Sequence, residues 1–466
     1  MLHANPRVFR VSYSSDLDTF DPIKSRYSVS SYPINALYTP LLRFQKGVLS
    51  PNGAKCDFRS QTKINCQINP DWKWSDGKPV LAEQLALGLK TLNESASARM
   101  GHFSNIKSLV ATSPRAFAIQ LHKPDINFLY KLLDPALSPR REDVDMNLGQ
   151  VTTGTYFVFK KKPGVSTYLK PNPHFFIKNQ DRPDVEFITT SDHAGFNLFE
   201  TGDLNWLTRI TAEKIPLIKN RSGFMQVPVH RFDYVGLGPE LTAYTDLRKN
   251  LIHSLHEQYQ KFVSLFGALG TPGCMSLSRS LVPKVICYEK NEYKRSSESD
   301  ISTFPKLSLY YATLGGDDIA RSMEFFQAGW KKNLGLNVEL KPTELGVLNQ
   351  MLRTSPPTLF RRGVPLDEPT CLAALEVFET KSPDNYIQLS DQTLDRIIQK
   401  LRVTRSKKEA DKLCIEGQKA LLATHRIIPL GEIHYTMLTD EKFDGFLVNE
   451  LNQLDLSGLK PKGATR

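Results

Sequence analysis

The segment at 151–176, VTTGTYFVFKKKPGVSTYLKPNPHFF, most constrains what this chain can fold into. Two stretches of alternating residues are joined by Pro163-Gly164, and Asn172-Pro173 ends the second stretch. A period of two indicates half-buried strands, and a Pro-Gly pair between two such strands indicates a tight connection. The segment therefore predicts an antiparallel β-hairpin.

A second pattern indicates a parallel sheet. The residues at 307–312, LSLYYA, predict a strand, those at 319–334 have amphipathic helical spacing, and those at 337–341 predict another strand. A strand–helix–strand order of this length is typical of a parallel βαβ unit. Helical spacing predicts further helices at 246–267, 369–379 and 391–424.

Length and composition set the class of protein. The 466 residues are enough for two or three domains, and 40% hydrophobic with 23% charged residues is ordinary for a globular chain. No apolar run approaches the roughly 18–20 residues of a membrane span. The formal net charge of +11 is spread along the sequence without basic–aromatic clusters, so we interpret it as a solvated surface and expect no nucleic-acid partner.

Motifs of catalysis are absent from the sequence. There is no G-x-S-x-G elbow, no Walker loop, no H-E-x-x-H and no G-x-G-x-x-G. His253 and His256 are three residues apart on a predicted helix, but no third ligand accompanies them, so we interpret them as ordinary helix residues. We therefore expect no enzymatic activity, no cofactor and no metal site.

The six cysteines fall into three successive pairs along the chain. None has the Cys-x-x-Cys spacing of a zinc or redox site. An even count in local pairs suits three disulfides in an oxidising compartment, while buried free thiols remain the alternative. The pairs are Cys56 with Cys66, Cys274 with Cys287, and Cys371 with Cys414.

Four segments in a fixed order carry a family resemblance. FDPIKSRYSVSSYPINALYTPLLRF stands at 20–44 and WKWSDGKPVLAEQLALGLKTL at 72–92; the hairpin follows, and GWKKNLGLNVELK stands at 329–341. Together they resemble the large extracellular solute-binding proteins of the peptide and nickel ABC importers, family 5. The resemblance covers nearly the whole chain, and its specificity comes from the order and spacing of the four segments.

The resemblance implies a bilobal α/β fold, the type II periplasmic-binding-protein fold of the large cluster, with an extra subdomain and mixed sheets in discontinuous lobes. Lobe I would take 1–45, 152–236 and 435–466, the extra subdomain 46–151, and lobe II 237–434. Two lobes joined by crossing segments suit closure around a ligand.

The resemblance also implies a function. The chain would be the monomeric substrate-binding component of an ABC importer, taking a peptide or a peptide-like or anionic small solute to the permease subunits. It would work in the periplasm or at the cell exterior after removal of a signal peptide. The alternative is the ligand-sensing domain of a cytoplasmic regulator, which predicts reduced thiols.

Ligand-binding residues follow from the resemblance, which places the ligand between the lobes. In peptide-binding relatives the loop after the Asp-Pro of the first segment touches the ligand. Here that loop, at 24–30, contains Arg26, Tyr27 and Ser28. Arg353 is expected to match a pocket-lining arginine of the relatives.

The stretch at 361–369, RRGVPLDEP, resembles a family segment of the form Gly-Trp-x-Ala-Asp-Tyr-x-Asp/Glu-Pro. The resemblance places Arg361 and Arg362 at the Gly-Trp, with Asp367 near the end. Pro365 takes the place of the Asp that pairs with a peptide's ammonium group. Because proline offers no charge, we expect a guanidinium-rich pocket for an anionic ligand or for a peptide without a free amine.

Overall fold

A computed structural model describes residues 8–463 apart from 15, 18, 26–30, 96–100, 266–271, 276–280, 316 and 367. The chain forms two compact units. The first comprises Met1–Ile210, Ile218–Val227 and Thr436–Arg466, and the second comprises Thr211–Leu217 and Pro228–Tyr435. The division into two lobes and an extra subdomain with the boundaries given above stays a prediction.

The first unit contains most of the strands. They are β1 Val8–Tyr13, β2 Leu42–Gln45, β3 Val48–Pro51, β4 Ala54–Phe58, β5 Lys63–Ile68, β6 Ile106–Ser113, β7 Ala116–Leu121, β8 Tyr156–Lys162, β9 Ser166–Pro171, β10 Asp184–Thr189, β11 Trp206–Leu207, β19 Phe443–Asp444, β20 Leu447–Val448, β21 Leu454–Asp455 and β22 Lys460–Pro461. Its helices are α1 Ser31–Leu37, α2 Ala82–Glu94, α3 Phe128–Lys131 and α4 Asp192–Glu200. Three of the four boundaries between the units fall within α5 Ile215–Ile218, β12 Phe224–Val229 and β18 Ile433–Thr439, and the fourth lies between Ile210 and Thr211.

The predicted hairpin is confirmed as one edge of a mixed seven-stranded sheet with the order β12-β18-β11-β1-β10-β9-β8. Strands β8 and β9 pair antiparallel, and a bulge lies between Val158 and Lys160. Strand β1 pairs parallel with β10, so the sheet contains both kinds of ladder. The Asn172 amide closes the end of the hairpin by donating to the Gly154 carbonyl at 2.8 Å.

A four-stranded sheet in the first unit, β4-β5-β7-β6, packs against helix α2. The tryptophans of WKW, Trp72 and Trp74, are fully buried in its core. Helix α2 lacks a capping side chain at Leu81, and the Gln84 side chain instead accepts from the Leu81 N–H at 3.1 Å. Directly opposite positions of β4 and β5 hold the disulfide between Cys56 and Cys66.

The second unit is built on a five-stranded sheet with the order β15-β14-β16-β13-β17. Its strands are β13 Arg231–Leu237, β14 Ser308–Ala312, β15 Glu339–Thr343, β16 Leu359–Pro365 and β17 Ile427–Pro429. Its helices are α6 Thr245–His253, α7 His256–Leu265, α8 Glu298–Thr303, α9 Asp317–Leu334, α10 Leu345–Thr354, α11 Cys371–Leu375, α12 Gln392–Val403 and α13 Lys407–Ala423. Strands β14 and β15 are connected through α9 and pair parallel, which confirms the predicted βαβ unit.

Two of the predicted helices are interrupted. The helix expected at 246–267 is divided into α6 and α7, and that expected at 391–424 into α12 and α13. The second break has a clear cause, because the Ser406 hydroxyl caps α13 by accepting from the Glu409 N–H. The helix expected at 369–379 is the short α11 followed by a 3₁₀ turn.

Each face of the second sheet covers its own hydrophobic core. Along β13, Phe232 and Tyr234 enter the core that contains α11, α12 and α13, whereas Val235 and Leu237 enter the core that contains α9. Successive side chains of a strand point to opposite faces, so β13 serves both cores. This alternation decides where the arginines of β16 point.

Two disulfides join parts of the second unit, Cys274 with Cys287 and Cys371 with Cys414. They are the pairs suggested by the order of the cysteines along the sequence. The first lies beside the fully buried Gln418, whose amide accepts from the Ile286 N–H at 3.0 Å and donates to the Lys284 carbonyl at 3.1 Å. No helix among the described residues is long and apolar enough to cross a bilayer.

Candidate functional site

Four of the predicted ligand-binding residues lie outside the described residues: Arg26, Tyr27, Ser28 and Asp367. The Asp-Pro turn that leads into the loop at 24–30 is described. Asp21 is buried, its carboxylate accepts from the Ile23 N–H at 3.0 Å, and it forms an ion pair with Arg140. The start of the loop is therefore fixed by a charged pair within the first unit.

Arg361 lies on β16 and is buried on the face of the sheet that carries Asp233. Its guanidinium forms an ion pair with Asp233, and Arg231 pairs with the same carboxylate. Arg231 Nη1 also donates to the Tyr435 hydroxyl at 3.2 Å. Burial opposes the charge of Arg231, but Asp233 and Tyr435 raise its pKa above the usual guanidinium value. Arg231 therefore remains charged, and the two arginines share one carboxylate.

Gly363 lies opposite Asp233 in the ladder, and Pro365 lies opposite Arg231. A Cβ at Gly363 would clash with the Arg231 guanidinium and would lie 2.6 Å from Asp233 Oδ1. Glycine at this position therefore makes room for the charged cluster. Pro365, which is exposed at the end of β16, has a cationic residue as its cross-strand neighbour.

Arg362 points to the opposite face of the sheet, into the surroundings of the other core. Its Nη1 donates to Asn349 Oδ1 at 2.6 Å, and its guanidinium carbon lies 5.4 Å from the ring centroid of Tyr386. Tyr234 is directly opposite Arg362 in the ladder and is fully buried. Burial raises the pKa of the Tyr234 phenol, and the charge of Arg362 acts against that rise.

Arg353 lies in the last turn of α10, the helix that also carries Asn349, and is exposed. Burial raises the pKa of Tyr386, while the charges of Arg362 and Arg353 lower it. Arg353 follows Asn349 by four residues on α10, so the two side chains lie on the same face of the helix. The structure thus places Arg353 on the face of α10 that contacts Arg362, and it places Arg361 on the other face of the sheet. Whether these arginines bind a ligand stays a prediction.

The sequence did not single out the partners of these arginines. Arg231, Asp233 and Tyr234 belong to RFDYVGL, whose apolar and polar residues alternate as in a strand. That alternation is a usable signal for a strand with a polar face. It does not reveal which distant residues share the ladder.

Comparisons with known proteins show which proteins this chain is similar to. A sequence profile described as bacterial extracellular solute-binding proteins, family 5 Middle, matches residues 59–249. The oligopeptide-binding protein OppA of Bacillus subtilis (strain 168) is 22% identical over 368 residues, which span 67% of this chain and 66% of that relative. The match therefore falls just short of two thirds of the relative's length.

Solved structures resemble the chain over nearly its full length. The Escherichia coli murein tripeptide binding protein MppA has a TM-score of 0.83 at 16% identity and covers 99% of each chain. The chain has the fold of these proteins, and its residues 59–249 match extracellular solute-binding protein family 5.

Two further solved structures resemble the chain over nearly its full length. Haemophilus influenzae OppA in complex with RPPGFSPFR has a TM-score of 0.83 at 15% identity, covering 98% of this chain and 99% of that one. A periplasmic oligopeptide-binding protein from Borrelia burgdorferi has a TM-score of 0.80 at 18% identity, covering 97% and 99%. These likenesses confirm the predicted fold class, the α/β type II periplasmic-binding-protein fold with mixed sheets.

Proposed function

We propose that this protein is the substrate-binding component of an ABC importer and that it binds a peptide or a peptide-like small solute for delivery to a membrane permease. The observation that carries the proposal is the likeness, over 98–99% of the chain, to a murein tripeptide binding protein and to an OppA in complex with the peptide RPPGFSPFR. Proteins of this class bind and release a solute without changing it, so we assign no catalytic step to the chain.

The cysteines support a proposal for the compartment. All six cysteines form disulfides, and the structure contains no free thiol. Structural disulfides persist in oxidising surroundings and are rare in the cytosol. They support a periplasmic or extracellular location and favour the importer over the ligand-sensing domain of a cytoplasmic regulator. We propose that the protein acts there as a monomer with the permease as its protein partner.

The surroundings of Pro365 bear on the kind of solute. A peptide ammonium needs a carboxylate partner, since an unpaired buried charge is strongly unfavourable. Proline has no charge, its cross-strand neighbour is Arg231, and the adjacent Asp233 carboxylate is shared by two arginines. We therefore propose that this end of β16 does not hold a free ammonium group.

Equilibrium binding tests the proposed function. The purified protein, freed of endogenous solute by partial unfolding and refolding, is titrated with a pool of tri- to nonapeptides while its melting temperature is followed. A ligand at 100 times its Kd stabilises the folded protein by about 2.7 kcal/mol, so the melting temperature should rise. The same pool hydrolysed to free amino acids is the control. Failure of every peptide to raise the melting temperature contradicts the proposal.

A further inference from the structure

Five residues of the second unit form a polar group at the edge of a hydrophobic core, which we name the Arg362 cluster. Tyr234 and Arg362 face each other across β13 and β16, and Arg362 bonds to Asn349 at 2.6 Å and lies over the ring of Tyr386. Directly opposite side chains of an antiparallel pair lie on the same face with Cβ atoms about 5 Å apart. Arg353 completes the cluster from the exposed end of α10.

Two donors of the Arg362 cluster are buried and have no hydrogen-bond partner among the described residues. They are the hydroxyl of Tyr234, whose side chain is fully buried, and Nε of Arg362. Buried polar atoms in native proteins nearly always have a partner, so each exception requires an explanation. Both atoms belong to facing residues of one ladder, so an acceptor that reaches both atoms would explain both.

The charge of the cluster indicates what kind of acceptor that is. Neither Arg353 nor Arg362 forms an ion pair with a carboxylate in the described part of the chain. The Asp384 carboxylate accepts from the Tyr386 hydroxyl at 2.7 Å. Two guanidinium groups beside one engaged carboxylate leave an excess of positive charge. Arginine matches a carboxylate through two parallel N–H groups, which gives both geometry and charge.

We propose that Tyr234 and Arg362, with Arg353 at the exposed side, form a subsite for one carboxylate group of the bound solute. This inference rests on the proposed function and names the chemistry that the solute must carry. Arg362 Nε and the Tyr234 hydroxyl donate to the carboxylate oxygens, and Arg353 contributes charge. Asp384 stays bonded to Tyr386, and its charge disfavours a second anionic group in the same place.

Two peptide comparisons distinguish the sources of the carboxylate. One pool contains tripeptides with a single Glu at each position, and the matched pool contains Gln in its place. A second comparison uses each pool as the C-terminal acid and as the C-terminal amide. The wild-type protein is expected to bind the carboxylate form at least about tenfold more tightly in one of these comparisons, as measured by isothermal titration.

Two variants test the named donors. Tyr234→Phe removes a hydroxyl that has no partner among the described residues, so the melting temperature should hold or rise while the carboxylate preference falls to threefold or less. Arg362→Met should abolish the preference, and Arg362→Lys should restore only part of it because lysine cannot bind both oxygens in parallel. If a bound water alone satisfies the buried donors, Tyr234→Phe keeps the full carboxylate preference. A full preference in Tyr234→Phe therefore overturns the proposal.

Matched controls separate this effect from general damage. Tyr156→Phe removes a buried hydroxyl that donates to the Pro183 carbonyl at 3.0 Å, so it should lower the melting temperature and leave the preference unchanged. Arg321→Met removes an exposed arginine of the second unit that pairs with Glu213. It should change neither the melting temperature nor the carboxylate preference. Equal affinity for acid and amide forms overturns the subsite and leaves the proposed function intact. Failure to bind any pool overturns both.

Discussion

Asp233 is the residue whose charge should matter most to the second unit. Its side chain is 1% exposed, and it forms ion pairs with Arg361 and Arg231, whose side chains are 9% and 17% exposed. The substitution Asp233→Asn keeps the shape of the side chain and removes the charge that both guanidinium groups share. The variant therefore isolates the electrostatic contribution of one carboxylate.

The expected loss of stability is large because the ion pairs of Asp233 are buried. Breaking a buried pair by removing one partner destabilises a protein by about 3–5 kcal/mol, since the remaining charge is poorly solvated. For a folding unit of roughly 150–250 residues, each kcal/mol lowers the melting temperature by ~2–4 °C. We therefore expect the transition of the second unit to fall by about 6–20 °C in Asp233→Asn.

Scanning calorimetry and urea unfolding of the unliganded protein measure this loss. The matched control is Glu213→Gln, which removes a carboxylate of similar chemistry from the exposed pair with Arg321 in the same unit. Exposed pairs contribute about 0–1 kcal/mol, so this variant should melt close to the wild type. A loss below about 1 kcal/mol in Asp233→Asn, or an equal loss in both variants, refutes the reasoning.

Three further predictions concern packing, covalent links and pH. Replacing Cys371 and Cys414 together by Ser opens a link between residues 43 apart and should lower stability by about 4 kcal/mol, as measured by urea unfolding. Gly53→Ala places a Cβ 2.7 Å from the ring of Trp72 and should destabilise the first unit by about 1–3 kcal/mol, read from tryptophan fluorescence on heating. Hydrogen bonds from two lysines lower the pKa of Glu339 to about 2, so its stabilising effect is present above its unfolded value near 4.5 and is lost as the pH falls toward 2. Titration by NMR should show this low pKa, and Glu339→Gln should remove the matching part of the acid dependence of stability.

Local patterns predicted much of the fold. The hairpin at 151–176 and the βαβ unit around α9 are set by alternation, by turn residues and by helical spacing within about 40 residues, and both are confirmed. The break between α12 and α13 was missed, although Ser406 followed three residues later by Glu409 is a capping signal readable from the sequence. No glycine or proline in the sequence marks the break between α6 and α7.

The candidate site was harder to predict because it depends on long-range register. Asp233 and Arg361 are 128 residues apart, and only the pairing of β13 with β16 brings them together. The same register decides that the neighbours Arg361 and Arg362 point to opposite faces. The prediction from the sequence had placed both arginines in one pocket. A shift of one residue in the ladder would exchange the two roles.

Native mass spectrometry of the protein as purified, followed by denaturation and identification of any released compound, tests the central claim most directly. We predict one bound peptide or small carboxylate-bearing solute per chain, and we predict that the released compound rebinds to the stripped protein. A protein that has only the mass of its chain and that, after stripping, binds no member of the peptide pools contradicts the assignment as a peptide-binding component of an importer.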